Sequence, residues 1–111
     1  MSTNATPMAG QPVYVAAQNG HVECVRVLGE LGADVNKCAT DDTSPVYIAA
    51  QEGHVESTRV LGELGADVNK SRTNDISPVY AAAMDGHVDC IRALHELGAD
   101  LNKSDDDEES P

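Results

Sequence analysis

The sequence is short of aromatic side chains, with no Phe, no Trp and only three Tyr among its 111 residues. Its apolar content rests largely on Ala, Val and Leu, which fill thin layers between closely spaced helices better than one deep globular core. The length is that of a single domain. The composition therefore predicts one domain built from thin packed layers.

Basic residues are also few: seven Lys and Arg stand against 19 Asp and Glu, giving a net charge of −12. Such a surface repels phosphates, which argues against nucleic acids and anionic membranes as partners. It favours instead a protein partner with a basic surface. Part of the acidity lies in the run at residues 104–111, which we expect to be a disordered, solvated tail because like charges repel one another.

Long hydrophobic runs and targeting signals are missing. No apolar stretch approaches the roughly 18 residues of a membrane span, and the N-terminus has neither the basic start nor the apolar stretch of a signal peptide. The three cysteines, Cys24, Cys38 and Cys90, are an odd number without metal-site spacing. Reduced thiols fit an intracellular compartment best, so we expect an intracellular protein, cytoplasmic or nuclear, that is not attached to a membrane.

The sequence does contain three nearly identical repeats. Gly20, Gly53 and Gly86 recur every 33 positions, and only four of 26 positions differ between residues 12–37 and 45–70. A fixed internal period of this size indicates a stack of similar units, each of which buries its apolar face only against its neighbours.

Within each unit the local signals predict two helices. The pairs Ser44-Pro45 and Ser77-Pro78 place an N-cap before a proline at the first helical position. The second helix carries one apolar stripe at positions i, i+3, i+4 and i+7, which we expect to be buried between units. In the first unit the stripe consists of Cys24, Val27, Leu28 and Leu31.

Glycine occurs at two kinds of position near the second helices, one after the helix and one inside it. Gly32, Gly65 and Gly98 follow the helix, where a left-handed C-terminal cap is expected. Gly29 and Gly62 lie inside it, where each is expected to cost about 1 kcal/mol relative to Ala. The polar stretches between units predict extended turns.

In the second unit "SPVYIAAQEGH" is followed by an apolar helix and then by "LGADVN", and the succession recurs every 33 residues. In this succession each unit resembles the ankyrin repeat. The resemblance implies an all-α solenoid of stacked helix-turn-helix pairs joined by hairpin-like loops. We expect a repeat domain at residues 10–103 with repeats at about 10–41, 42–74 and 75–103, preceded by a flexible N-terminus at 1–9. The sequence departs from the family's pattern where Tyr14, Tyr47 and Tyr80 replace its usual histidine.

The recurring histidines admit two interpretations. His21, His54 and His87 each follow a glycine, and Cys24 and Cys90 lie three residues beyond two of them. Pairing His with Cys across units would make a metal site, whereas a structural histidine would bond loop backbone at the start of a helix. The structural interpretation is favoured, because ligands must converge at about 2 Å and a stack separates equivalent positions by a whole unit. No metal or cofactor is therefore predicted.

No nucleophile, base and orienting residue occur together in any recognised pattern. The sequence therefore predicts a protein that is not an enzyme. Cys24 and Cys90 align with Ser57 on the packing face and are expected to be buried, inert thiols. Cys38, in a loop, is expected to be the reactive cysteine.

The resemblance implies a protein-interaction module that binds a partner through its concave face, with loop tips and first-helix ends. The positions that the family uses for partner contact map here onto Gln18, Asn19, Thr40, Asp41, Thr43, Gln51, Glu52, Thr73, Asn74, Ile76, Met84 and Asp85. Tyr47 and Tyr80 are expected to line the same groove. Ordinary solvated surface is the alternative, and the apolar Ile76 and Met84 favour binding in the third unit.

A second function class stays open. Near-identical units without a rewritten terminal unit are also typical of a structural segment of a longer array, or of a chain that self-associates through its uncapped terminal repeats. The expected oligomeric state is accordingly a monomer or a weakly self-associating chain.

Overall fold

The computed structural model describes residues 11–39, 42–72 and 76–102. Within these ranges the chain is helical, without strands, and the helices form three pairs at the period of the sequence. They are α1 (Pro12–Gln18), α2 (Val22–Glu30), α3 (Pro45–Gln51), α4 (Val55–Glu63), α5 (Pro78–Met84) and α6 (Val88–Glu96). The predicted all-α stack of helix pairs is confirmed.

The first helix of the second and third units begins at a serine cap followed by proline. Ser44 Oγ accepts a hydrogen bond from the main-chain N–H of Tyr47 at 3.1 Å, and Ser77 Oγ accepts one from Tyr80 at 3.1 Å. These bonds satisfy amide groups that the first turn of a helix leaves without a helical partner. In the first unit Gln11 occupies the cap position without such a bond.

The second helices end in a left-handed glycine, as predicted. Gly32 has a φ of 102°, and the next amide, that of Ala33, donates back to the carbonyl of Leu28 at 2.9 Å. This arrangement satisfies carbonyls at the end of α2 and turns the chain out of the helix. Gly65 and Gly98 repeat it.

The pairs stack in series, with α1, α3 and α5 forming the inner row and α2, α4 and α6 the outer row. Ala17, Ala49, Ala50 and Ala82 are fully buried between the inner helices, and such small side chains allow neighbouring helices to come close. Main-chain amides also bond across units: Asp67 N–H donates to Asn36 Oδ1 and Asp100 N–H donates to Asn69 Oδ1, both at 2.8 Å.

The glycines inside α2 and α4 provide room for the next unit. A Cβ atom built on Gly29 would lie 2.4 Å from Cδ1 of Leu64, and one on Gly62 would lie 2.5 Å from Cδ1 of Leu97. Each leucine therefore fills a hole that only glycine leaves open. The propensity cost expected at these positions is offset by packing that the sequence pattern did not reveal.

The apolar stripe of the first unit is not buried, and this expectation was wrong. Val27 is 47% exposed and Leu31 81% exposed, whereas Val60, the equivalent of Val27 in the second unit, is 3% exposed. The stripe of each unit packs against the outer helix of the unit before it, and no described helix pair precedes α2. For the same reason Cys24 is exposed while Cys90 is buried.

No helix in the described part of the chain is both long and apolar enough to cross a membrane. The flexible segment predicted at 1–9 and the tail predicted at 104–111 lie outside the described residues.

Candidate partner-binding surface

Histidine at the start of each second helix fixes the end of the preceding first helix. His54 occupies the N-cap position of α4, and its Nε2 donates to the main-chain carbonyl of Gln18 at 3.0 Å. The ring lies so close to Gly20 that a Cβ there would meet its Nδ1 at 2.7 Å. The structure thus favours the structural interpretation, with the bond made to the preceding unit.

His87 packs on Gly53 in the same way, since a Cβ built on that glycine would lie 2.8 Å from Cε1 of the ring. In the described ranges no group of three or more His, Cys, Asp or Glu side chains is placed to hold a metal ion. The histidines thus hold the ends of α1 and α3, where candidate contact residues lie.

Those ends form a row along the inner helices, which we call the helix-end row. Its two positions per unit are exposed, apart from the half-buried Gln51. The first position is Gln in two units and Met in the third, and the second position is Asn, Glu and Asp in turn. The row consists of Gln18, Asn19, Gln51, Glu52, Met84 and Asp85.

Polarity changes along the helix-end row. In the first unit the amide of Asn19 donates to the carbonyl of Val15 at 3.1 Å and so serves its own helix. The second and third units place exposed carboxylates at Glu52 and Asp85. Met84 adds an apolar side chain that is 57% exposed.

The three tyrosines occupy equivalent positions but have different surroundings. Tyr47 is only 1% exposed, with the guanidinium of Arg72 lying 5.7 Å from the centre of its ring. Tyr80 is 37% exposed, because no described unit packs over it. Of the two tyrosines expected in the groove, the structure leaves only Tyr80 open to a partner.

Thr43 is buried as well. Its carbonyl accepts a hydrogen bond from Ala39 at 2.9 Å, which closes the loop between the first two units. Ile76 has the same kind of main-chain bond, from Arg72 at 3.1 Å, but its side chain is half-exposed. Thr43 therefore serves the loop, whereas Ile76 is still available for contact.

Four of the expected contact positions lie outside the described residues. They are Thr40, Asp41, Thr73 and Asn74.

The open stripe of α2 is an exposed apolar surface that the sequence pattern does not predict. Val27, Leu28 and Leu31 recur as Val60, Leu61 and Leu64, which are buried or half-buried, so composition and periodicity cannot distinguish the two sets. The signal that was present is position: this helix belongs to the first unit of the stack.

Comparisons with known proteins agree with these observations. A family model described as ankyrin repeats in three copies matches residues 3–72, and one described as ankyrin repeats in many copies matches residues 79–111. The solved structure of the human ASB11 ankyrin repeat domain superposes with a TM-score of 0.76 at 30% identity. That match covers 80% of this chain and 40% of the ASB11 chain. A search of curated proteins finds no match.

Proposed function

Because this chain belongs to the ankyrin repeat family, whose members are generally protein–protein interaction modules, we propose that it binds a protein partner along the helix-end row and catalyses no reaction. The observation that carries the proposal is the exposure of Asn19, Glu52, Met84 and Asp85, at positions where the units differ in residue type. The shared residues of each unit are engaged in caps, inter-unit hydrogen bonds and packing, so the varied positions remain for recognition.

The chemistry of the row indicates the kind of partner. Glu52 and Asp85 are exposed carboxylates, and the chain as a whole carries a net charge of −12. Tyr80 and Met84 lie one helical turn apart on α5 and are both exposed. The proposed partner therefore presents Lys or Arg to the carboxylates and an apolar side chain to Tyr80 and Met84.

These two contacts contribute differently. Complementary charges at the edge of an interface mainly speed encounter. A few buried aromatic or apolar anchors carry most of the affinity. We accordingly assign affinity mainly to Tyr80 and Met84, with Ile76 at the edge of the same unit, and assign the association rate mainly to the carboxylates.

The proposal is tested with two variants of the intact chain. The first changes the row through Glu52→Gln, Met84→Ala and Asp85→Asn. The second removes the same number of charges from the outer helix α4 through Glu56→Gln and Glu63→Gln, where both residues are exposed. A partner captured by the unchanged chain is identified and purified, and its dissociation constant is measured for each form.

We expect the row variant to bind at least about tenfold more weakly, with helix content unchanged, and the outer-helix variant to bind nearly as tightly as the unchanged chain. Equal affinity for the unchanged chain and the folded row variant would refute the proposed surface.

The proposal includes an intracellular location, cytoplasmic or nuclear. All three cysteines are free thiols, and proteins of oxidising compartments rarely keep several. Microscopy of the tagged chain checks this, and accumulation in a secretory compartment would contradict it.

A further inference from the structure

The joint between units has a reproducible construction. A leucine of the following unit fills the hole left by a helical glycine, as Leu64 does over Gly29 and Leu97 does over Gly62. The position equivalent to these glycines in the third unit is His95, an exposed residue. Where no described unit follows, the hole is therefore absent.

At the opposite end the leucine is present and its hole is missing. Leu31 is equivalent to Leu64 and Leu97 and is 81% exposed. On α2, the helix that ends just before Leu31, the residues Glu23, Cys24, Val27 and Leu28 line a shallow, apolar depression. This end of the stack thus presents an uncovered leucine and an uncovered apolar surface.

The polar parts of the joint are uncovered there too. His21 is exposed, whereas its equivalent His54 donates to a carbonyl of the preceding unit. Asp34 is equivalent to Asp67, whose amide donates to an asparagine of the preceding unit. The exposed leucine, the exposed histidine and the amide of Asp34 are therefore the parts that the first unit would offer to a preceding unit.

We propose that this surface is a docking site for one further helix pair of the ankyrin type, whose outer helix carries glycine at the position of Gly29 and Gly62. We call the surface the N-terminal end face, and it consists of His21, Cys24, Val27, Leu31 and Asp34. The occupant continues a contact that the stack already makes twice, with Leu31 filling the glycine hole.

A second copy of the chain fits less well. It offers His95, whose side chain stands where Leu31 would enter. A Cβ alone would come within about 2.5 Å of such a leucine, judging from the two existing joints. The occupant is therefore a helix pair that carries glycine at the position where this chain has His95.

A single substitution converts the chain into its own occupant. The last unit retains the other parts of the receiving side, because Gly86 is equivalent to Gly20 with open space beside it, and Asn102 is equivalent to Asn36 and is exposed. His95→Gly supplies the missing hole. The variant is therefore expected to stack head to tail through Leu31.

The test measures molar mass against concentration by sedimentation for the unchanged chain, His95→Gly, His95→Ala and the double variant His95→Gly with Leu31→Ala. The unchanged chain is expected at its monomer mass of 11.7 kDa. His95→Gly is expected to self-associate at least about tenfold more tightly, from burial of one leucine. His95→Ala keeps a Cβ and gains little, and the double variant loses the gain.

Association of the unchanged chain as strong as that of His95→Gly would overturn the proposal, as would a folded His95→Gly that stays monomeric. Association that persists in full without Leu31 would also overturn it.

A second experiment does not depend on His95. A copy of residues 12–44 is inserted ahead of Pro12, so that the glycine of the added unit faces Leu31. The matched chain carries histidine in place of that glycine. The glycine form is expected to melt about 4 to 8 °C above the histidine form, and equal melting temperatures would overturn the proposal. Neither experiment involves the helix-end row, so each can fail without the proposed function failing.

Discussion

At the scale of single residues, the same residue type has opposite properties in equivalent positions. Cys24 is exposed, whereas Cys90 is buried beside Thr58, and burial raises the pKa of the Cys90 thiol. Cys38 is half-buried and its thiol donates to the carbonyl of Asn36 at 3.4 Å. The expectation that Cys24 and Cys90 are both buried is therefore wrong at Cys24, and the reactivity of the thiols stays a prediction.

We predict that an alkylating reagent modifies Cys24 first and Cys90 last. Access favours Cys24, and burial raises the pKa of the Cys90 thiol and so keeps it in the unreactive protonated form. Mass spectrometry after timed quenching at pH 8 measures the order, with the denatured chain as the control in which the three rates converge. A folded chain in which Cys90 reacts as fast as Cys24 would contradict the assigned burial.

The raised pKa of Cys90 also makes the free energy of unfolding depend on pH. The folded chain holds this proton more tightly than the unfolded chain, so the contribution is complete below the unfolded thiol pKa of about 8.5 and is lost as pH rises above it. We expect the free energy of unfolding to fall less between pH 8 and 10 in Cys90→Ala than in the unchanged chain. Parallel urea titrations test this, and equal losses would contradict it.

The helical glycines give the second residue-scale prediction. Gly→Ala inside a helix normally stabilises by about 1 kcal/mol, but at Gly62 the added Cβ meets Leu97. Gly62→Ala is therefore expected to lower the free energy of unfolding by about 1 to 3 kcal/mol, as overpacking does. His95→Ala, at the equivalent exposed position, is the control and is expected to be nearly neutral. Urea titration decides, and a stabilised Gly62→Ala would exclude the hole.

At the scale of the element, the buried face of α4 is the most polar part of the packing. Ser57 and Thr58 are both buried. Thr58 Oγ1 donates to the carbonyl of His54 at 2.9 Å, whereas Ser57 Oγ has no partner among the described residues. The two polar side chains therefore differ in what they cost the helix.

We predict that Ser57→Cys, which copies the first unit, raises the free energy of unfolding by about 1 kcal/mol, because it removes a buried hydroxyl without a partner. Thr58→Val, which also copies the first unit, is expected to change the free energy of unfolding little, because its methyl group takes the place of a hydroxyl that already makes a hydrogen bond. Thermal melts of the two single variants separate the effects. A Thr58→Val chain that gains as much as Ser57→Cys would contradict this distinction.

At the scale of the whole molecule, a chain with a net charge of −12 attracts a basic partner before contact is made. Electrostatic steering raises the association rate and is screened within about 10 Å at 0.1 M salt. The proposed carboxylates Glu52 and Asp85 lie on the exposed helix-end row. Their contribution should therefore be kinetic and sensitive to salt.

We predict that raising salt from about 0.05 to 0.5 M slows association of the unchanged chain with its partner, and slows it less for Glu52→Gln with Asp85→Asn. Dissociation is expected to change little. Stopped-flow mixing gives both rates. A salt dependence unaltered by the two substitutions would place the steering charges elsewhere on the molecule.

The sequence alone determined the parts of this protein that depend on short-range chemistry. The helix pairs, the serine caps at Ser44 and Ser77 and the left-handed glycines all follow from residues within a few positions of one another. Because the sequence recurs every 33 residues, each unit forms the same local structure. The sequence also identified first-helix ends such as Glu52 and Met84 as candidates for contact, and binding there stays a prediction.

Tertiary structure alone decided which faces are covered. Tyr47 and Tyr80 have nearly the same local sequence, but only Tyr47 is buried, because burial depends on whether a neighbouring unit packs against the residue. Gly29 also depends on a neighbouring unit. Its lack of a side chain is explained only by Leu64 of the next unit, which packs where a Cβ atom would lie. Each repeat carries nearly the same contact surfaces, and the presence or absence of a neighbouring unit determines which of these surfaces are buried.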